Sequence, residues 1–264
     1  AGSDYGELAV GSSKAGTFTD AAKTKGFVCG GSSPPGDALS EVTTFNFTGS
    51  PIGAVDVGNL DQCSNGFGLQ AQTPSVGILG GGFCTGDDAL LDNIQTFSNG
   101  SSPFTASDVC EMGTAVYGTS CSESPTHAYS AGGYPATSNI HHYQKGTTND
   151  STDVGELTSS GAGDSGGATD GRGGNGFHIS GVNTSGTKID VIQKYPFATT
   201  ITGSDVGEYT VAADLAGKMI SGVTDFFTSH DNGNIYKGSF SSPASTSDVG
   251  EVSTTTKYGN GTQY

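Results

Sequence analysis

The chain of 264 residues has no tryptophan and only two methionines, and Asp, Glu, Lys and Arg together make up just 14% of it. It also has no uninterrupted apolar run of about 18 residues, the length that a membrane-spanning helix needs. Basic residues are scarce, with 10 Lys and Arg against 26 Asp and Glu, so the net charge is −16. A surface of this sign repels phosphate. We therefore expect no nucleic-acid partner, no affinity for anionic membranes and no membrane span.

Glycine is abundant, with 44 residues, while hydrophobic residues make up 33% of the chain. The apolar residues occur in short bursts between Gly, Ser and Thr, a pattern typical of many short strands joined by tight turns. No stretch shows a helical period. At this length a folded chain buries roughly 70–75% of its unfolded surface, which allows a sizeable core. The predicted fold class is all-β.

Cysteines and glycosylation sequons favour a location outside the cell. The five cysteines all lie in the first half of the chain, and the odd number leaves at least one unpaired in a monomer. Cys63 with Cys84 and Cys110 with Cys121 are feasible disulfides, although sequence alone does not fix the connectivity. Sequons that permit N-glycosylation in a eukaryotic secretory route occur at Asn46, Asn99, Asn149, Asn183 and Asn260. We therefore expect an extracellular protein.

One six-residue phrase, built around Asp-Val-Gly-Glu, recurs along the chain and defines an internal repeat. Its copies are Ser3–Leu8, Val55–Leu60, Ser107–Met112, Thr152–Leu157, Ser204–Tyr209 and Ser247–Val252. Their start positions, 3, 55, 107, 152, 204 and 247, give spacings of 52, 52, 45, 52 and 43 residues. A repeat of this period is typical of propeller blades, each of which is a four-stranded sheet.

Two further phrases recur with the same period as the first. One is an apolar burst closed by small residues, such as Phe27–Gly31, and the other is a β-branched residue three places before an aromatic, such as Ile94 and Phe97. Residues three apart on a strand lie on opposite faces, so Ile94 and Phe97 fit a sheet packed between two neighbours. The repeat predicts one domain, a β-propeller of five four-stranded blades. The predicted units are 3–54, 55–106, 107–151, 152–203 and 204–246, followed by a terminal strand and tail at 247–264.

Three stretches, Thr126–Pro135, Thr152–Leu157 and Ile192–Ala198, resemble a kelch-like repeat that is abundant in predicted proteins of marine phages and aquatic microbes. The resemblance spans almost the whole chain and is strongest from about residue 107 to residue 210. Such repeats typically occur in tandem, often in suspected virion or surface proteins. The resemblance implies a β-propeller on a virion or cell surface. It implies no particular activity, because propellers host enzymes, lectins and scaffolds alike.

The phrase occurs six times, whereas a ring of five blades needs five such strands. The first copy, Ser3–Leu8, and the last, Ser247–Val252, therefore compete for one place. An unpaired strand edge is a template for another chain. One hypothesis is that a terminus is donated to a neighbouring copy, giving a filament or a ring by strand addition. The alternative is closure of the ring within one chain, with a frayed tail.

A Gly-Asp-Ser-Gly-Gly motif at Gly163–Gly167 resembles the nucleophile loop of trypsin-like proteases. That chemistry needs a histidine base and an aspartate that orients it, and in that family the histidine lies far upstream of the serine. Here the first histidine is His127, only 38 residues before Ser165. We therefore interpret the motif as a turn and the protein as non-enzymatic, with a protease as the remote alternative.

The acids of the repeated phrase have two interpretations. They could ring one face and bind Ca²⁺, or each could accept backbone N–H groups in its own turn, which is the interpretation we favour. These acids are Asp4, Asp56, Asp108, Asp153, Asp205 and Asp248. Adjacent His141 and His142 lie on opposite faces of a strand and do not easily share a metal. We expect no cofactor beyond this Ca²⁺ alternative.

The function that we predict is a structural or adhesive propeller module outside the cell or on a virion. Its expected partners are other copies of itself or other surface proteins. The alternative is a glycan-binding propeller, for which Tyr129, Tyr134 and Tyr195 are the candidate contacts. An enzyme has no convergent acid–base set in its favour.

Overall fold

The computed structural model describes residues 6–8, 11–20, 22–33, 36–48, 52–98, 104–135, 137–161, 163–170, 173–183, 185–210, 212, 219–229 and 233–251. Regular structure in these ranges consists of strands alone, which confirms the all-β prediction. The described ranges accordingly contain no helix that is long and apolar enough to cross a membrane.

The described residues form twenty-six strands. The first part contains β1 (Gly6–Glu7), β2 (Gly16–Thr19), β3 (Lys25–Cys29), β4 (Ser32–Ser33), β5 (Asp37–Ala38), β6 (Glu41–Asn46), β7 (Ile52–Gly53) and β8 (Val55–Asn59). Then come β9 (Leu69–Gln72), β10 (Val76–Cys84), β11 (Ala89–Ser98), β12 (Phe104–Thr105), β13 (Ser107–Glu111), β14 (Ser120–Glu123), β15 (His127–Ala131), β16 (Thr137–Gln144) and β17 (Thr152–Gly161). The last are β18 (Gly166–Thr169), β19 (Asn175–Val182), β20 (Lys188–Pro196), β21 (Ile201–Thr202), β22 (Ser204–Glu208), β23 (Met219–Ser221), β24 (Asp225–Ser229), β25 (Asn234–Ser239) and β26 (Ser242–Glu251).

Twenty of these strands form five antiparallel meanders of four strands each. Meander 1 is β2-β3-β6-β8, meander 2 is β9-β10-β11-β13, meander 3 is β14-β15-β16-β17, meander 4 is β18-β19-β20-β22 and meander 5 is β23-β24-β25-β26. Short parallel pairings link successive meanders: β12 joins β8, and β21 joins β17. Meanders 4 and 5 merge into one eight-stranded sheet through a single parallel pair, Glu208 with Ser245.

The meanders are offset from the predicted repeat units. We predict that the Asp-Val-Gly phrase opens each unit, but its second to sixth copies form the fourth strand of a meander, because each pairs antiparallel with the third strand of that meander. The phrase is a β-bulge. Gly58 lies opposite Val42 and Asp56 lies opposite Thr43, so Val57 is the extra residue. The same offset recurs at Val109, Val154, Val206 and Val249.

Four hydrophobic clusters join successive meanders face to face. Ile94 packs toward meander 3, in the cluster that contains Tyr143, while Phe97 packs toward meander 1, beside Phe18. The two-sided packing that the phrase predicted is therefore present. Throughout, we call the face that a meander turns toward the next one its forward face and the opposite face its back face. In meanders 1 to 4 the β-branched residue of the forward face is fully buried, at Val42, Ile94, Ile140 and Ile192.

The two terminal copies of the phrase occupy different places, contrary to the competition that we predicted. The first copy forms β1, which pairs in parallel with β7, so that Gly6 lies opposite Ile52. The last copy lies within β26, which pairs antiparallel with β25 and completes meander 5. Asp4 and residues 252–264 lie outside the described residues. Each meander thus draws its four strands from one continuous part of the chain.

Candidate functional site

The first strands of all five meanders line one cavity of about 730 Å³. Side chains of β2, β9, β14, β18 and β23 form its walls, and the turns that follow these strands form its rim. Cavities of about 300–1,000 Å³ are the usual size for small-molecule sites. This cavity, which we call the axial cavity, is our candidate functional site.

A chain of four hydrogen bonds runs along the walls of the axial cavity from meander 1 to meander 5. Each bond runs from a backbone N–H at the end of one first strand to the side chain at the same position in the next meander. Thr19 N–H donates to Gln72 Oε1 at 3.0 Å, and Gln72 N–H donates to Glu123 Oε2 at 3.0 Å. Glu123 N–H donates to Thr169 Oγ1 at 2.8 Å, and Thr169 N–H donates to Ser221 Oγ at 3.0 Å. We call these five residues the polar belt.

One residue of the polar belt, Glu123, forms an ion pair with Lys145. Lys145 Nζ lies 2.6 Å from Glu123 Oε2 and also donates to the carbonyl oxygen of Gln72 at 2.9 Å. The Lys145 side chain is only 6% exposed, whereas that of Glu123 is 37% exposed. The lysine is therefore held by two acceptors, and the glutamate keeps a carboxylate oxygen accessible from the cavity.

The two other carboxylates at the rim of the cavity, Asp20 and Asp170, stabilise the turns in which they lie. Asp20 Oδ1 accepts the backbone N–H groups of Thr24 and Lys25, at 2.6 and 2.8 Å. Burial raises the pKa of Asp20, but these hydrogen bonds outweigh it and leave the pKa below its ordinary value. Asp170 does the same in meander 4, where it accepts the N–H of Gly174 at 2.8 Å. Both acids are thus committed to local structure in ionised form.

A set of left-handed residues, which we call the collar, precedes the first strands of meanders 1 to 4. Lys14, Gly66, Gly118 and Asp164 have φ values of 56°, 61°, 66° and 52°. Gly66 N–H donates to Lys14 O at 2.9 Å, and Gly118 N–H donates to Gly66 O at 2.6 Å. Lys14 Nζ then reaches Asp164 Oδ1 at 3.2 Å, from meander 1 to meander 4. This pair joins two meanders that are not consecutive.

The protease-like motif belongs to this collar. Ser165 is fully buried, and its hydroxyl lies 3.4 Å from Gly118 O, to which it donates. Its backbone N–H donates to the same carbonyl oxygen at 3.3 Å. Asp164 bonds Lys14 rather than a histidine. The arrangement gives Ser165 a structural partner in a turn, as we predicted, and no base among its described hydrogen bonds.

The acids of the repeated phrase accept backbone N–H groups within their own bulges. Gly58, Gly155, Gly207 and Gly250 each donate N–H to the aspartate two residues earlier, at 3.0 to 3.1 Å, and those aspartates are Asp56, Asp153, Asp205 and Asp248. This confirms the turn role for these four. In the third copy Cys110 replaces the glycine after Asp108. Within the described ranges no group of three or more His, Cys, Asp or Glu could hold a metal ion.

The predicted glycan contacts are mostly inaccessible. Tyr129 and Tyr195 are 3% and 0% exposed and lie between meanders 3 and 4, where Tyr195 Oη is 2.8 Å from Ser122 Oγ. Tyr134 is 50% exposed, and its ring lies 5.2 Å from that of Tyr117, at an interplanar angle of 49°. The prediction is wrong for Tyr129 and Tyr195, because aromatic residues at these positions are needed to pack one meander on the next.

Only one of the two feasible disulfides is present. Cys63 is bonded to Cys84, whereas Cys29, Cys110 and Cys121 are free thiols. The pairing of Cys110 with Cys121 is wrong because Cys110 lies on a fourth strand and Cys121 on a first strand, at opposite edges of their meanders. Burial raises the pKa of Cys121, which lines the axial cavity, to about 11. The thiol is therefore protonated at neutral pH and a poor nucleophile.

The sequons differ in their surroundings. Asn46 and Asn149 are exposed, and Asn183 is half-buried, with its Oδ1 accepting the N–H groups of Ser185 and Thr187. Asn99 and Asn260 lie outside the described residues. Among the three sequons that the structure describes, Asn46 and Asn149 thus have the exposure that a glycan requires.

The burial of His178 predicts that the stability of the protein depends on pH. It is fully buried on β19, with Nδ1 2.9 Å from Ser120 Oγ, and burial lowers its pKa to about 4 from 6.5. As pH falls, the unfolded chain therefore takes up this proton first. The buried neutral ring of His178 contributes fully to stability above pH 6.5. This contribution, on the order of 3 kcal/mol, is lost as the pH falls from 6.5 to 4. An NMR titration should find the His178 ring neutral at pH 5, and a midpoint near 6.5 would contradict the assignment.

The polar belt and Lys145 were missed by sequence reasoning. Successive belt residues are 53, 51, 46 and 52 positions apart, which is the period of the repeated phrase. A search for polar residues at that period would have found them. Comparison with protein-family models and with curated proteins found no match to this chain. The resemblance to a kelch-like repeat therefore stays a prediction.

Proposed function

We propose that the five meanders form a five-bladed β-propeller that works without catalysis, as a structural module outside the cell or on a virion, and that joins copies of itself end to end. Three observations support the propeller. The meanders pack in chain order, their first strands line one cavity, and the Lys14–Asp164 pair connects meanders 1 and 4 at the collar. Propeller blades have this up-and-down topology and this radial order.

The observation that carries the self-association is the open forward face of meander 5. Ile220 and Val249 are 37% and 50% exposed there, and Phe227 and Ile235 are half-buried. At the matching positions of meander 4, Ala168, Phe177 and Ile192 are buried and Val206 packs against the core. The positions of Ile220, Phe227 and Ile235 are buried in meanders 1 to 4, so their exposure in meander 5 marks a surface that receives a partner.

A second copy of the chain fits this face, because the four established interfaces repeat the same positions. The complementary surface is the back face of meander 1, where Val28 and Phe45 are half-buried. Their counterparts in meander 2, Leu79 and Phe97, are 0% and 3% exposed. The back face of meander 1 in a second copy would therefore pack on the forward face of meander 5, in the way that meander 2 packs on meander 1 within the chain.

In the single chain, β1 occupies the strand edge that would accept β26 of another copy at this junction. In meanders 2, 4 and 5 the segment that leads into the fourth strand pairs in parallel with the fourth strand of the meander before it, as β12 does with β8. In meander 1 that segment is β7, and β1 takes the place of a preceding fourth strand. Association through this junction exchanges β1 for β26 of the incoming copy, which is strand addition of the kind that joins pilin subunits.

Replacing Val249 with aspartate tests the proposal. A charge at this exposed position leaves the monomer folded but places a carboxylate in the apolar junction. We expect sedimentation velocity to show oligomers of the 26.4 kDa chain for the wild type and monomers for Val249→Asp.

The matched control is Thr152→Asp on β17, because Thr152 is exposed and lies in meander 3, away from both faces of the junction. This variant should associate like the wild type. A wild type that stays monomeric at every concentration, or a Val249→Asp protein that still associates, would overturn the proposal in favour of a ring closed within one chain.

A further inference from the structure

We propose that the axial cavity binds a neutral saccharide residue on the side formed by Glu123, Lys145, Thr169 and Ser221. This inference is independent of self-association, since it concerns the cavity walls rather than the open face. A sugar ring presents several hydroxyl groups close together, each of which both donates and accepts a hydrogen bond. A site for it needs donors and acceptors that alternate at fixed positions.

The polar belt supplies such groups already oriented. Thr169 Oγ1 accepts the N–H of Glu123, and Ser221 Oγ accepts the N–H of Thr169. Because each hydroxyl uses its oxygen to bind the backbone, its hydrogen is left for a ligand, and no described residue accepts it. The two hydroxyls therefore act as fixed donors along one wall of the cavity.

Glu123 and Lys145 complete the set. Glu123 Oε2 accepts from Gln72 N–H and from Lys145 Nζ, and the second carboxylate oxygen has no hydrogen-bond partner among the described residues. With its side chain 37% exposed, that oxygen is available to hydroxyl donors. Hydrogen bonds to a charged group are stronger than those between neutral groups. Glu123 is thus the strongest single contact that the site offers.

The charge of the lining selects a neutral ligand. Asp20, Glu123 and Asp170 contribute three carboxylates, and Lys23 and Lys145 contribute two ammonium groups. The net charge of the whole chain is −16, which repels anionic sugars. Bare cations find no cluster of three ligating side chains in the described part of the chain. A neutral, hydroxyl-rich molecule matches the polarity of the cavity, and a single sugar ring fits within its volume.

Saturation-transfer NMR with single sugars tests the inference. Glucose, galactose, mannose and N-acetylglucosamine are the neutral probes, and N-acetylneuraminic acid is the anionic one, all at millimolar concentration. We expect saturation transfer to at least one neutral sugar and none to the anionic sugar. Glu123→Gln should weaken binding about tenfold, because it removes the charge from that hydrogen bond while keeping the shape of the side chain.

Glu156→Gln is the matched control, since Glu156 is exposed on β17 away from the cavity, and it should bind like the wild type. Thr169→Val is the second variant, which removes one donor and should also weaken binding. Thermal unfolding of each variant shows whether it is folded. The inference is wrong if no neutral sugar gives saturation transfer to the folded wild type, or if binding is unchanged in both folded cavity variants.

Discussion

Replacing Gly155 with alanine should cost about 3 kcal/mol of unfolding free energy, because both backbone strain and overlap oppose the new methyl group. Gly155 lies on the bulge of β17 with φ 153°, and an added Cβ would overlap the carbonyl oxygen of Ile201. That oxygen belongs to β21, which pairs in parallel with β17. The overlap therefore breaks the link between meanders 3 and 4. Urea unfolding measures the loss.

Gly250→Ala is the control for that prediction. Gly250 occupies the same position in β26, but no described heavy atom lies within 4 Å of an added Cβ. We expect this change to cost less than about 0.5 kcal/mol, as surface substitutions usually do. Equal losses at the two glycines would show that the last bulge is covered in the isolated chain, and that meander 5 has no open face.

Phe177→Ala should be among the most destabilising single changes, with an expected loss of about 3–5 kcal/mol. Phe177 is 0% exposed at the centre of the cluster that joins meanders 4 and 5, and its ring lies 5.1 Å from that of Phe240. Its removal leaves a cavity between two sheets that cannot close without moving both. Chemical unfolding of the monomeric protein gives the value.

Phe227 of meander 5 occupies the position that corresponds to Phe177 of meander 4. Lys194 lies over the Phe177 ring at 5.9 Å, and Lys237 lies over the Phe227 ring at 5.8 Å. Phe227 is half-buried, so Phe227→Ala should cost about 1–2 kcal/mol in the monomer and should weaken association. A loss as large as that at Phe177 would mean that the forward face of meander 5 is already packed.

Periodicity in the sequence predicted the all-β class and the two-sided packing of Ile94 and Phe97. It did not predict the phase of the repeat. A strand can pair with the strand before it or the one after it, and the phrase carries no signal that decides between them. The bulge itself is local, since Asp56 accepts the N–H of Gly58 two residues later. That is why the turn role of the acids could be predicted from the phrase alone.

The candidate site was beyond the reach of motif reasoning for a different reason. Belt residues such as Gln72, Glu123 and Thr169 share a position but not a chemical type, because any side-chain oxygen of suitable reach can accept the neighbouring N–H. Lys145 comes from the end of β16 and meets Glu123 only in the folded chain. Short sequence separation likewise suggested a Cys110–Cys121 disulfide, although the two residues lie at opposite edges of their sheets.

Electron cryo-microscopy of the native particle tests the central claim most directly. The account predicts five radial sheets around an axial channel in each copy, with the fifth sheet of one copy packed on the first sheet of the next. Two stacked sheets without a channel, or repeated phrases in unlike surroundings, would contradict it.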